Sequence, residues 1–135
     1  MNARATKPTQ TVTPYLLYAD GEAAIEFLTR AFGFSVVDRS IGGAGGLHAE
    51  LEVAPDGGRV YVGQPPSGFR NPRETGATSL VFVVVDDVDA HYARARTEGA
   101  TITDELADRP AGHRRYSCDD PQGHGWAFAQ VLAPA

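Results

Sequence analysis

Two stretches of this chain repeat one another in kind. Asp20 to Gly33 and Asp86 to Gly99 each begin at an aspartate and end at a glycine, 66 residues apart (86 − 20 and 99 − 33). Under that offset Ala24 falls on Ala90. Aspartate is a favoured helix N-cap and glycine a favoured residue just past a helix end, so each stretch predicts a helix. In the first, Ala24, Ile25, Leu28, Ala31 and Phe32 recur at helical spacing.

Strand patterns surround both helices in the same order. Residues 11–18 precede the first helix. Residues 35–41, 47–53 and 59–64 follow it, with a glycine turn at 42–46 and a hairpin turn at Asp56-Gly57-Gly58. Leu47, Ala49, Leu51 and Val53 alternate with His48, Glu50 and Glu52, which places the two sets on opposite faces. Residues 79–85 precede the second helix, which Asp86 or Asp87 caps and which runs to Glu98; 101–106, 114–118 and 126–131 follow it. Five matched elements per half define an α+β chain of two βαβββ modules. Residues 1–10 read as a flexible leader and 11–135 as one domain. Module one is 11–64, the linker 65–78 and module two 79–131.

Composition removes several functions. The net charge is −5, and Arg114–Arg115 is the only adjacent basic pair among eleven Arg and one Lys, so nucleic acid is not an expected partner. Cys118 is the one cysteine, which rules out an intramolecular disulfide and a CxxC metal site. No apolar run approaches bilayer length and the first ten residues lack a signal-peptide core, so the expectation is a cytoplasmic protein with no membrane partner.

Several segments carry a family resemblance. Pro14-Tyr15-Leu16, Ala23-Ala24-Ile25-Glu26-Phe27, Ala31-Phe32-Gly33-Phe34 and His48-Ala49-Glu50-Leu51 resemble the first module of glyoxalase/bleomycin resistance/dioxygenase (vicinal oxygen chelate) proteins. Val85-Asp86-Asp87-Val88-Asp89-Ala90 and Asp120-Pro121-Gln122-Gly123-His124-Gly125-Trp126 resemble the second, and are the more specific. The resemblance implies curved mixed sheets around a cleft, a concave cavity commonly completed in a homodimer. In metal-dependent members it also implies four His, Glu or Gln ligands from the first and last strands of each module. Counted from shared landmarks, those positions are Thr13, Val62, Leu80 (or Ser79) and Ala127. None offers the imidazole or carboxylate that a divalent metal needs, so no metal and no cofactor is expected.

Period-two counting from these positions predicts a pocket wall of Tyr15, Leu17, Val60, Val62, Gln64, Leu80, Phe82, Val84, Ala127 and Ala129, with Tyr61, Trp126 and Phe128 on the core side. Such a wall suits an apolar ligand held by a few hydrogen bonds. His48 and Glu50 form an i, i+2 pair that either lines the cavity or is a solvated face; Arg115, in the strand His113-Arg114-Arg115-Tyr116, is a candidate anchor for a ligand anion. His124 is read as a turn residue, and Phe69, Arg70 and Arg73 as part of a linker. The favoured function is metal-free binding and sequestration of an antibiotic or hydrophobic metabolite, with Tyr15, His48, Glu50, Val62, Gln64, Leu80, Phe82, Arg115 and Ala127 as ligand-binding residues and no catalytic residue. The alternative is a lyase-, isomerase- or dioxygenase-type enzyme with a shifted metal site at His48 and Glu50, or with His48 as a base.

Overall fold

The computed structural model describes residues 10–41 and 45–133. Most of the predicted leader and Gly42 to Ala44 of the glycine turn lie outside the described residues.

Module one contains β1 (Tyr15–Leu17), α1 (Gly21–Phe32), β2 (Ser35–Ile41), β3 (Leu47–Glu52) and β4 (Arg59–Gly63). Module two contains β5 (Leu80–Val84), α3 (Val88–Thr97), β6 (Thr101–Arg109), β7 (His113–Asp119) and β8 (Gly125–Val131). A short helix, α2 (Pro72–Thr75), stands in the connection where no element was predicted. Asn71 and Glu74 form its capping box, and Pro72 opens it. Each module folds into one four-stranded sheet: β1-β4-β3-β2 in the first and β5-β8-β7-β6 in the second. β1 with β4, and β5 with β8, are the parallel pairs, and the remaining neighbours are antiparallel. The predicted α+β fold of two βαβββ modules is therefore the observed one.

Local chemistry explains the helix limits. The Asp20 carboxylate accepts from the Ala23 amide at 3.0 Å, and Gly33 ends α1 in the left-handed region at φ 75°. In module two Asp87, not Asp86, is the cap, accepting from the Ala90 amide at 3.1 Å. The cap offset is thus 67 residues (87 − 20), and α3 has 10 residues against 12 in α1. β1 is shorter than the predicted strand. β6 is longer, continued past residue 106 by two register shifts that absorb its irregular pattern.

The core lies between sheets and helices and is shared by both modules. Phe32, at the end of α1, packs on Trp126 and Phe128 of β8, with ring centroids 5.4 and 4.7 Å apart. Trp126, Tyr116 and Phe128 are fully buried. A polar seam joins the modules as well. Buried Asp120 accepts from the Tyr18 hydroxyl at 2.6 Å, from Trp126 Nε1 at 3.1 Å and from the Gln122 and His124 amides, both at 3.1 Å. His124 Nε2 donates to the Leu17 carbonyl at 2.6 Å, which gives this turn histidine a structural task.

Candidate functional site on the open sheet faces

With the helices on one side, each sheet keeps a second face that no helix or strand among the described residues covers. Pairing register decides which residues it carries. Leu16 is buried against the core, and its parallel partner Val62 and the antiparallel partner of Val62, Ala49, are buried with it. The opposite face of sheet one therefore carries Tyr15 and Leu17 from β1, Arg59, Tyr61 and Gly63 from β4, and His48 and Glu50 from β3.

This register moves three predicted β4 positions to the other face. Val60 and Val62 are buried on the core face, and Tyr61, expected in the core, takes the outward place. Gln64 lies beyond the end of β4, and its side-chain oxygen accepts from the Gly21 amide at 2.8 Å, so it serves the start of α1 rather than the open face. In sheet two Trp126 and Phe128 are core, as predicted, with Val83 paired to Phe128. Leu80, Phe82, Ala127 and Arg115 are on the open face. Ala127 is covered by its neighbours, while Arg115 faces Asp104 at 3.6 Å. His113 leans on Phe82 with ring centroids 5.6 Å apart. A cavity of about 370 Å³ at the module seam, lined by Tyr18, Phe27, Arg30, Arg73 and Gln122 among others, includes none of the nine predicted ligand-binding residues.

The open face of sheet one holds a chain of hydrogen bonds. The Tyr15 hydroxyl lies 2.6 Å from His48 Nδ1, and His48 Nε2 lies 3.2 Å from Glu50 Oε2. Arg59 Nη1 donates to Glu50 Oε1 at 3.1 Å. Tyr15, His48 and Tyr61 form a ring cluster with centroid separations of 5.4 to 5.7 Å. Gly63 makes room for it: a Cβ there would stand 2.6 Å from Tyr15 Cε1. Tyr61, Gly63 and Arg59 were missed from sequence. The signal was available in the hairpin at Asp56-Gly57-Gly58, whose antiparallel pairing sets Glu50 opposite Tyr61 and His48 opposite Gly63.

Neither sheet presents a donor set for the metal of metal-dependent relatives. With register corrected, the outward positions of the first and last strands are Tyr15 and Leu17 in β1, Arg59, Tyr61 and Gly63 in β4, Leu80, Phe82 and Val84 in β5, and Gly125, Ala127, Ala129 and Val131 in β8. Aliphatic side chains and glycine cannot ligate, and neutral phenols are poor ligands for a divalent ion. Among the described residues no three His, Cys, Asp or Glu side chains converge as a metal site, so His48 and Glu50 lack the further ligand that a shifted site needs. Cys118 is buried, and burial pushes its thiol up to about 12, which leaves it unreactive at neutral pH. No helix among the described residues is long and apolar enough to cross a membrane.

The paired modules, each a four-stranded mixed sheet with one face open among the described residues, define a class of small two-module α+β protein. The chain belongs to the glyoxalase/bleomycin resistance protein/dioxygenase superfamily, whose family model matches residues 10–128. It is 33% identical to TioX from Micromonospora sp. ML1, over 93% of this chain and 99% of that one, with a TM-score of 0.72. An uncharacterised protein of Mycobacterium tuberculosis is 32% identical over 128 residues, 90% of this chain and 74% of that one. A glyoxalase-family protein from Bacillus cereus shares the fold at 16% identity and a TM-score of 0.74, over 98% of this chain and all of the other.

Proposed function

We propose that this protein binds a small, largely apolar molecule on its open sheet faces, stoichiometrically and without a metal, as a homodimer. The observation that carries the reading is the exposure of Tyr15 and Leu17 on β1 and of Leu80, Phe82 and Val84 on β5, between 41% and 56%, along an edge strand of each sheet. Apolar side chains grouped in this way on the open side of each sheet mark an interaction surface rather than ordinary scatter. Within one chain the modules meet through α1, α3 and the aromatic core, so no element among the described residues covers either open face. A second copy would set the sheet-one face of one chain against the sheet-two face of the other, enclosing the ligand between them. Aliphatic residues and glycine at the family's metal positions favour binding over metal-assisted chemistry. An antibiotic or a hydrophobic metabolite fits such a site, and Arg115 supplies a cation for an acidic group on it.

The test combines light scattering with melting scans against a panel of planar, apolar antibiotics, alongside elemental analysis of untagged protein. A dimer without stoichiometric metal, stabilised by at least one compound and made monomeric by Phe82→Asp, is the expected result. A metal near one per chain, or a melting temperature that no compound raises, would overturn the reading.

A further inference from the structure

We propose that Tyr15 is a general acid–base on the sheet-one face, its hydroxyl proton relayed through His48 toward Glu50, acting on a planar carbonyl or heteroaromatic compound with an acidified C–H. The inference rests on the ligand-site reading above and adds a reaction to it.

The direction of the relay follows from donor and acceptor inventory. The Glu50 carboxylate can only accept, so the nearby His48 Nε2 carries its hydrogen. In the neutral ring Nδ1 is then a bare acceptor, and the Tyr15 hydroxyl 2.6 Å away donates to it. The Tyr15 oxygen thereby turns its free lone pairs to the open face. This is the logic of a nucleophile or base, an imidazole and an orienting carboxylate in hydrogen-bonded sequence. Arg59 Nη1 fixes the other oxygen of the same carboxylate at 3.1 Å. Exposure grades along the chain: Tyr15 is 51% exposed, while the His48 and Glu50 side chains are 21% and 20% exposed. Tyr15 is thus the member of the Tyr15–His48–Glu50 series most open to a ligand. Gly63, beneath the Tyr15 ring, and the edge of Tyr61 complete an aromatic wall that suits a planar ligand.

In the step itself the substrate C–H bond breaks as its proton passes to the Tyr15 oxygen, while the Tyr15 proton passes to His48 Nδ1. The C–H electron pair is taken up by the substrate's carbonyl or leaving bond, so no oxidant or reductant is consumed. His48 is a positioning residue here, since it acts through Tyr15.

The probe 5-nitrobenzisoxazole tests this with the intact protein: loss of its C–H proton breaks its ring N–O bond and releases a coloured phenolate. Saturable turnover above buffer is expected. Tyr15→Phe and His48→Gln should each lower kcat at least tenfold with KM little changed, and the double variant should fall no further than the worse single one. The rising limb of the pH–rate profile should move to higher pH in His48→Gln, where the phenol must ionise unaided. Turnover of Tyr15→Phe equal to wild type overturns the relay. So does a probe that raises the melting temperature without being converted, an outcome that leaves the binding reading intact. A probe that neither binds nor reacts, in a protein that no panel compound stabilises, removes both.

Discussion

His91 makes the stability of this protein depend on pH in a calculable way. The ring lies on α3 against Phe128, with centroids 4.0 Å apart, and against Phe32. Its Nδ1 is 2.5 Å from the Tyr116 hydroxyl, and among the described residues its Nε2 has no hydrogen-bond partner. Burial in this aromatic pocket pushes its pKa from 6.5 down to about 4. Between those values the unfolded chain takes up a proton that the folded chain refuses. The contribution is present in full above pH 6.5 and is lost as pH falls toward 4, beyond which it changes no further. A gap of about 2.5 units at about 1.36 kcal/mol per unit gives a loss of about 3 kcal/mol. That is a large share of the roughly 5–15 kcal/mol that holds a domain folded.

The perturbation is His91→Asn, which keeps a donor and an acceptor near Tyr116 but cannot titrate. Urea unfolding at several values between pH 7.5 and pH 4 gives each protein's stability, and the difference between the two curves is the quantity to follow. Asp108, held low by Arg114, and Asp119, raised by burial, titrate in both proteins and cancel. The variant should be the less stable protein at pH 7, and the wild type should lose about 3 kcal/mol relative to it on acidification. Parallel curves would refute the argument, as would a His91 ring resonance that titrates near pH 6.5.

Three further outcomes follow from packing. Asp120→Ala strips the buried Tyr18 hydroxyl and Trp126 Nε1 of their shared acceptor, and should cost about 3 kcal/mol or more in urea unfolding. Phe128→Ala removes a ring packed against Phe32, His91 and Tyr116 in the shared core, and should cost about 3–5 kcal/mol in the same assay. Gly63→Ala, on the open face, should change stability by only about 0.5 kcal/mol. It should nevertheless drive the Tyr15 ring off His48, read as a change in the imidazole nitrogen resonances of His48.

The sequence carried the faces of some strands openly and of others not at all. In β3 the alternation of Leu47, Ala49 and Leu51 with His48, Glu50 and Glu52 leaves one choice of core side, and that choice is the observed one. In β8 the bulk of Trp126 and Phe128 decided the matter equally well. β4 offers no such contrast, since Val60 and Val62 are as plausible in a pocket as Tyr61 is in a core. What settles it is its pairing, locally with β3 across the hairpin and, far along the chain, with Leu16 of β1. The Glu50 and Arg59 end of the relay lies within reach of that hairpin, but Tyr15 joins it only through the parallel pairing of β1 with β4. The choice between Asp86 and Asp87 turned on one hydrogen bond, to the Ala90 amide, that two adjacent aspartates predict equally.

The division between the two sides of each sheet also separates the residues that hold the fold from those that face outward. The aromatic cluster, the helix faces and the Asp120 seam all lie behind the sheets or between the modules. Of the twelve outward positions on the first and last strands, Gly63, Ala127 and Ala129 are buried, and the other nine are partly or well exposed. Exchange of an exposed side chain there leaves the core contacts unchanged, so its effect on stability is small while its effect on what the face recognises is large. Selection on ligand chemistry and selection on folding therefore act on different residues of the same strands. The alternation of a β-strand is what keeps them apart.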